Sequence, residues 1–522
     1  LRLVGGGGRA CPQDSPRMTV ARLIAGLESR GILLSLDGEQ IRYRSPRQAL
    51  TEPDRDALKA RRGEIMDYLK ARNAARALRI VAPRTGPLTP SVAQQMWRAF
   101  AGGPEEGKPV ALNIGMVSRF KAPPEAVTAA IRQVIARYEA LRTRFVAGEG
   151  GLLAFLNPPE AFEVEGEDLR GLGGDAARAA ADKAAQQFCA TLNLIEGRWL
   201  TRAKVFALPE GESLAAISSA HMIADAATRN IVLEEIHDIL ETGAPRNPSA
   251  VFYNDYSLAE RDALAGAQGT ELIEYWRRWY HDQPTMLAPS DKVPLTWGNG
   301  VRIVKNFTIP SRIADRVRDL AGTLKVTSFL VYLTIFCIAM ARWAKMERFP
   351  VRILGDKRVS LELTNTVGLM FCADAVEVSV PPGADFESIM RGVLAEYDAA
   401  LALRIPSLHF WAPHCVRPGI EAPDYPNKIP AVFNYYSLGT ARERAERRRA
   451  APGPDASLAW PPDIVTLAQT WPRRSSPLFL HVMDYGHEVQ VSLHFFQGAV
   501  SPPDQDSFTA MLFQVFAETV PV

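Results

Sequence analysis

The apolar positions change period along this chain, and each change marks an element. Val20, Leu23, Ile24 and Leu27 recur at helical spacing, with Gly31 placed as a C-cap. The run ILLSLDGEQIRYR follows, where Asp37-Gly38 between two alternating segments predicts a hairpin. Thr51 is placed to cap a second helix, with acidic residues in its first turn and Leu58, Ile65, Met66 and Leu69 along its face. Helix, hairpin and helix fit in residues 18–73, near the lower size limit for independent folding.

Residues 74–88 read as an Ala-, Pro- and Arg-rich linker, and beyond them the two periods mix. Pro123–Val146 predicts an amphipathic helix, and Ala226–Glu241, Val326–Lys345 and Ser507–Thr519 predict three more. Lys204–Leu208, Leu214–Ser219, His481–Met483 and Gln490–Phe496 alternate as strands. Mixed elements without a repeat point to an α/β (α+β) fold. Residues 1–17 lack an apolar h-region and an initial Met, and read as a fusion remnant or disordered leader before Met18. Arg442–Arg449 reads as an exposed loop.

Length and composition narrow the classes. The 522 residues suggest about three compact units. With 47% hydrophobic and 23% charged residues, a disordered or fibrous chain is excluded. A net charge of +2 gives no global attraction to nucleic acid or to an anionic membrane. The longest apolar stretch, Val326–Ala341, falls short of the ~20 residues that span a bilayer. Five cysteines at 11, 189, 337, 372 and 415 include no CxxC pair, which fits a reducing cytoplasm rather than a disulfide framework. His409, His414 and Cys415 match no common zinc spacing, and no phosphate-binding glycine motif is present, so no metal or nucleotide site is expected.

Charge is uneven locally. Residues 18–73 hold eleven Lys/Arg and eight Asp/Glu, a local +3. Arg42, Arg44 and Arg47 cluster on and after the second strand, and Lys59, Arg61 and Arg62 on the helix. The cluster is either a solvated face or a docking surface for an acidic peptide, which could also add to an open hairpin edge.

The stretch SLAAISSAHMIADAATRNIVLEEI carries the candidate chemistry. An apolar strand ends at His221, and Asp225 sits where a helix N-cap belongs. His-x-x-x-Asp alone is a weak signal, because Asp at that place is ordinarily only a cap.

Its neighbours make the pattern specific. Over residues 89–522 the chain resembles the condensation domain of non-ribosomal peptide synthetases. The similarity runs through Ser91-Val92-Ala93-Gln94-Gln95-Met96-Trp97, Arg137-Tyr138-Glu139-Ala140-Leu141-Arg142-Thr143, and Ala220-His221-Met222-Ile223-Ala224-Asp225-Ala226. It continues through Tyr253-Asn254-Asp255-Tyr256, Tyr275-Trp276, Leu287–Asp291 and Val367-Gly368-Leu369-Met370-Phe371. Residues 18–73 resemble the small docking domains of such synthetases, of the tubulysin-synthetase type.

The resemblance implies two chloramphenicol-acetyltransferase-like lobes in a V, at about 89–255 and 256–522, with a central tunnel. It implies donor and acceptor carrier proteins presenting substrates on phosphopantetheine, with no cofactor held permanently. It also implies an amide-forming attack of the acceptor amine on the donor thioester, an upstream subunit whose C-terminal tail the docking unit binds, and a downstream adenylation domain. His221 matches the family's functional histidine. Asp225 is expected to pair with an arginine, Arg342 from the second lobe or Arg142 from the first. The sequence departs from the family's His-His-x-x-x-Asp-Gly at Ala220 and Ala226. Ala220 and Ala226 leave open a non-catalytic recruiting module, and the sequence does not separate an amine from a hydroxyl nucleophile.

Overall fold

The alternating strands assemble into sheets that position everything else. The structure, a computed structural model, describes residues 20, 23–24, 26–27, 32–37, 40–44, 50–75, 87–95, 110–111, 113–148, 151–191, 193–194, 198–245, 252–358, 363–402, 429–438, 460–486 and 488–520. In the N-terminal unit, strands β1 (Leu33–Asp37) and β2 (Gln40–Arg44) pair antiparallel and close at Asp37↔Gln40. Thr51 caps helix Glu52–Ala60 in a capping box: its hydroxyl accepts the Asp54 N–H at 3.3 Å, and Asp54 accepts the Thr51 N–H at 2.8 Å. The single helix expected here breaks at Arg61 (φ −111°) and resumes as Arg62–Ala75. Val20, Ile24, Leu27, Ile32, Leu34, Ile65 and Leu69 close one small core.

The first lobe is built on a four-stranded sheet. Strands β3 (Val110–Ala111) and β8 (Asn193–Leu194) pair apart from it, as do β5 (Thr143–Gly148) and β6 (Gly151–Leu156). The sheet itself holds β4 (Asn113–Phe120), β7 (Val164–Asp168), β9 (Thr201–Ala207) and β10 (Ser213–Ala220) in the order β4-β10-β9-β7. Strand β10 lies inside it and is buried at every position, which explains its near-continuous apolar run. Ala215 and Ile217 face helices Pro124–Arg137 and Ala226–Thr242, while Leu214 and Ala216 face helix Gly174–Ala190. The helix expected over 123–146 ends at Arg137. Tyr138 turns extended (φ −94°, ψ 103°), a short 3-10 turn follows, and Thr143 and Val146, both β-branched, enter β5.

The second lobe holds a seven-stranded sheet. Its strands are β11 (Gly298–Ile309), β12 (Arg348–Asp356), β13 (Phe371–Ser379), β14 (Ala431–Ser437), β15 (Val465–Ser475), β16 (Leu478–Asp484) and β17 (Val489–Phe496). Their order is β13-β12-β14-β16-β17-β11-β15, with β12-β14 and β14-β16 parallel. Helices Ser311–Leu324, Ser328–Ala344, Phe386–Ala402 and Pro502–Thr519 share one large core with alternate residues of these strands. Helix Ser328–Ala344 buries residues around its whole circumference, in keeping with its almost unbroken apolar sequence. Helix Pro502–Thr519 starts earlier than expected, capped by Ser501 with prolines in its first turn. Among the described residues no single helix is long and apolar enough to cross a membrane.

The lobes are joined in two ways. Helix Tyr253–Ala265 runs through the expected 255/256 boundary, with Tyr253 and Tyr256 in the first-lobe core and Leu264 in the second. The segment between β12 and β13 reaches back, and Leu363, Val367, Leu369 and Met370 are buried in the first-lobe core. The fold is mixed α/β, as the sequence implied.

Candidate active site

His221 occupies the turn that leaves β10. The chain closes that turn with Ile223 N–H donating to Ala220 O at 2.9 Å, then enters helix Ala226–Thr242. The half-buried imidazole places Nδ1 2.9 Å from Ala224 O. A carbonyl only accepts, so Nδ1 carries the proton and the neutral ring has its lone pair on Nε2. The Phe371 ring, from the second lobe, lies 5.8 Å away. Burial pushes the His221 pKa below its ordinary value, partly offset by the Asp225 charge. The imidazole is therefore neutral near neutral pH and able to take a proton.

Asp225 is the helix N-cap, accepting the Thr228 N–H at 2.8 Å. Its carboxylate also receives both arms of the Arg358 guanidinium, at 2.9 and 3.0 Å, and the Met370 N–H at 2.8 Å. Burial would raise its pKa, but Arg358 and these donors outweigh it and hold the carboxyl below its usual range. With every oxygen committed, Asp225 cannot serve as a free acid or base. It pins the first-lobe helix to the second lobe.

The arginine partner is Arg358, which corrects the expectation of Arg342. Arg342 lies on the exposed side of its helix and pairs with Glu518 at 2.5 Å. Arg142 is not the partner either. It donates to Asn157 O at 2.7 Å and ties the 3-10 turn to the end of β6.

The two departures from the family pattern are accommodated. Ala226 is the first residue of the helix, with ordinary helical backbone, so no glycine is needed for its conformation. Ala220 is fully buried among Phe145, Leu152, Leu200 and Met222, an apolar setting where the family places a histidine.

The remaining motifs brace this turn. Gln94 donates to Met222 O at 3.2 Å, and Ser91 shares a 2.6 Å hydrogen bond with Tyr253. Gly368 exchanges bonds with Thr228, its N–H reaching Oγ1 at 3.1 Å and its carbonyl accepting at 3.0 Å. A Cβ at Gly368 would be driven into the Tyr253 ring. Sequence reasoning missed the neighbour of Arg358 as well. Lys357 donates to Glu260 at 2.7 Å, with both side chains buried, and Tyr256 donates to the same oxygen at 3.2 Å. Lys357 and Arg358 follow β12 directly and are both buried, and no local sequence period singles them out.

The docking residues are less gathered. Arg42, Lys59 and Arg62 are exposed, and Arg61 is engaged with Glu64 at 2.6 Å. Arg44 lies on β2, but its side chain and all of Arg47 fall outside the described residues. So do the leader, most of the linker, Met96, Trp97, Arg442–Arg449, His409, His414 and Cys415. Among the described residues no cluster could hold a metal. Cys337 and Cys372 are buried, and Cys189 is partly exposed.

Comparison with known proteins identifies the family. A family described as "Condensation domain" matches residues 112–402, and one described as "TubC N-terminal docking domain" matches 20–71. Phosphinothricin tripeptide synthetase PhsC of Streptomyces viridochromogenes is 28% identical over 335 residues, 61% of this chain and 30% of that protein. Bacitracin synthase 2 of Bacillus licheniformis is 22% identical over 361 residues, 67% of this chain and 13% of its own length. The chain thus spans less than a third of these curated relatives. A solved condensation domain that mediates chain release from the enacyloxin polyketide synthase is 31% identical, with TM-score 0.75, covering 97% of this chain and 98% of that one. The EpoB cyclization-docking bidomain of Sorangium cellulosum shares the fold at 18% identity, TM-score 0.61, over 96% of this chain and 98% of that one.

Proposed function

The chain belongs to the condensation-domain family and carries a TubC-type docking domain, and on that premise we propose that it joins an acyl or peptidyl thioester to an acceptor amine. The donor and acceptor arrive on the phosphopantetheine arms of carrier proteins, from opposite mouths of a tunnel between the lobes. The docking unit receives the tail of an upstream subunit, an adenylation domain follows downstream, and the assembly works in the cytoplasm. His221 carries this reading: its tautomer is fixed by Ala224 O, and Nε2 is left as the basic nitrogen.

The step balances simply. The amine nitrogen attacks the thioester carbon and forms the C–N bond. His221 Nε2 takes the proton as the tetrahedral intermediate forms and returns it to sulfur as the C–S bond breaks. A free amine is already partly neutral near pH 7–8, so positioning by the two tethers contributes alongside proton transfer.

A second reading has its own support. The enacyloxin relative, matched over nearly its whole length, performs chain release. In that reading the nucleophile is a free small molecule, an amine or a hydroxyl, and the product leaves the carrier. Intact-protein mass spectrometry of both carriers, with analysis of the small-molecule fraction, separates the two. Mass gained by the acceptor carrier supports the first reading, and donor unloading into a small-molecule conjugate supports the second. Neither product in the wild type, with the donor loaded, would leave the recruiting module.

A further inference from the structure

Two adjacent residues at the end of β12 hold two different helices. Arg358 reaches the N-cap of helix Ala226–Thr242 and binds Asp225 at 2.9 and 3.0 Å. Lys357 reaches helix Tyr253–Ala265, which joins the two cores, and binds Glu260 at 2.7 Å. The Lys357 ammonium also lies 5.7 Å from the centre of the Tyr256 ring. The Lys357 side chain is 3% exposed and that of Glu260 is 0%. Burial this complete makes an ion pair a poor source of stability, because both charges give up their water. The pair is also incompletely satisfied, since Glu260 Oε2 is buried with no hydrogen-bond partner among the described residues. Well-packed apolar side chains of similar volume would serve stability as well or better. What the charges supply is a fixed spacing between the end of β12 and the helix that joins the lobes.

That spacing bears on His221 through short links. Lys357 N–H donates to Met370 O at 2.7 Å and fixes where β13 begins. Met370 N–H donates to Asp225 at 2.8 Å, beside the turn that carries the imidazole. Phe371 comes next, and its ring lies 5.8 Å from that of His221. A ring at that distance shields one side of the imidazole from water, and burial is the main cause of its lowered pKa.

We propose that Lys357 and Glu260 are positioning residues for His221: their ion pair sets the place of the Phe371 ring over the imidazole. The proposal rests on His221 as the base of the condensation step. Without the pair the start of β13 shifts, Phe371 draws away and water reaches the imidazole. Among the described residues, the ionised groups around this turn are Asp225 and, across the lobe boundary, Arg358 and Asp356, and removal of the pair alters none of them.

The double variant Lys357→Met/Glu260→Gln removes both charges and keeps an acceptor for the Tyr256 hydroxyl. Its melting temperature should stay near that of wild type. Proton NMR of the imidazole C–H groups reads the His221 titration without substrate, with His221→Ala identifying the signal. The His221 pKa should rise toward the ordinary 6.5. With carrier-bound substrates kcat should fall about ten- to a hundredfold, the scale of a misplaced reacting group, and KM should change less. Should the double variant fail to fold, Glu260→Gln alone, which keeps shape and acceptor, carries the same expectation. An unmoved titration in a folded variant overturns the proposal, and a lowered melting temperature beside it would make the pair structural only. A moved titration with kcat unchanged overturns it as well, provided that His221→Ala slows condensation. If His221→Ala does not, the base assignment fails and the placement of Phe371 by the pair stands.

Discussion

His221 and Asp225, four residues apart, do different work because their surroundings differ. Ala224 O fixes the His221 Nδ1 proton, so the tautomer is set with the lone pair on Nε2. Its substitution by alanine should lower condensation by roughly 10²–10⁴ if it moves the proton. Mutant turnover within twofold of wild type, with fold intact, would limit it to positioning. Because burial lowers its folded pKa, the base form persists to pH below the ordinary 6.5. The acid limb of the kcat/KM profile should accordingly lie below that value, and a limb at or above 6.5 would contradict the buried imidazole as base. The same shift makes protonation favour the unfolded chain, so this group's stability contribution is lost as pH falls below about 6.5. Asp225 belongs to stability. Asp225→Ala strips Arg358 of its bidentate partner between the lobes and leaves it only the half-exposed Asp356 carboxylate at 2.9 Å, a loss of at most about 3–5 kcal/mol. Melting curves should show Asp225→Ala and Arg358→Ala strongly destabilised. Arg342→Ala, which breaks a half-exposed pair, should change stability by only about 0–1 kcal/mol. A stable Asp225→Ala protein with lost turnover would make the carboxylate a direct participant instead.

Among the elements, the segment between β12 and β13 is the one that makes two lobes into one site. It brings Arg358 to Asp225, Met370 N–H to the same carboxylate, Gly368 to Thr228 and Phe371 to His221. Gly368→Ala should break this arrangement, because the new methyl meets the Tyr253 ring that Ser91 holds in place. Limited proteolysis and melting would both register it, and an unshifted melting curve would show that Tyr253 simply moves aside. The sequence made parts of this legible. The strand ending at His221 and the cap at Asp225 follow from local pattern, since burial on both faces of β10 and the N–H groups of a helix start impose particular residue types. Partner choice across 133 residues does not follow from local pattern. Sixty Lys and Arg are scattered through the chain, and no local period marks which one meets Asp225. The overlong helix expected over 123–146 failed for a related reason: Leu141 and Phe145 continue a helical spacing, yet Leu141 packs from the 3-10 turn into the first-lobe core and Phe145 packs within the β5–β6 hairpin.

Across the whole molecule, the docking unit has its own core and a separate task. Its first helix meets the second lobe, where a methyl on Gly26 would come within 2.9 Å of the Asp398 carboxylate on helix Phe386–Ala402. We expect the partner on the hairpin and helix Glu52–Ala60. Arg42 and Tyr43 stand exposed on β2, and Arg55, Lys59 and Arg62 on the helices, beside exposed Glu52, Asp56 and Glu64. An acidic tail should bind there, steered by long-range attraction that salt screens beyond about 8–10 Å. Charge reversal at Arg42 and Arg44 should slow association more than it speeds dissociation, because exposed charges act chiefly on encounter. Arg61 should matter less, since its charge is already answered by Glu64. Fluorescence polarisation with the upstream partner's C-terminal tail, at low and high salt, measures all three. Affinity indifferent to salt and to both reversals would reduce the basic cluster to a solvated face. Recognition would then rest on strand addition to the open hairpin edges, where backbone N–H and C=O groups supply affinity without regard to charge.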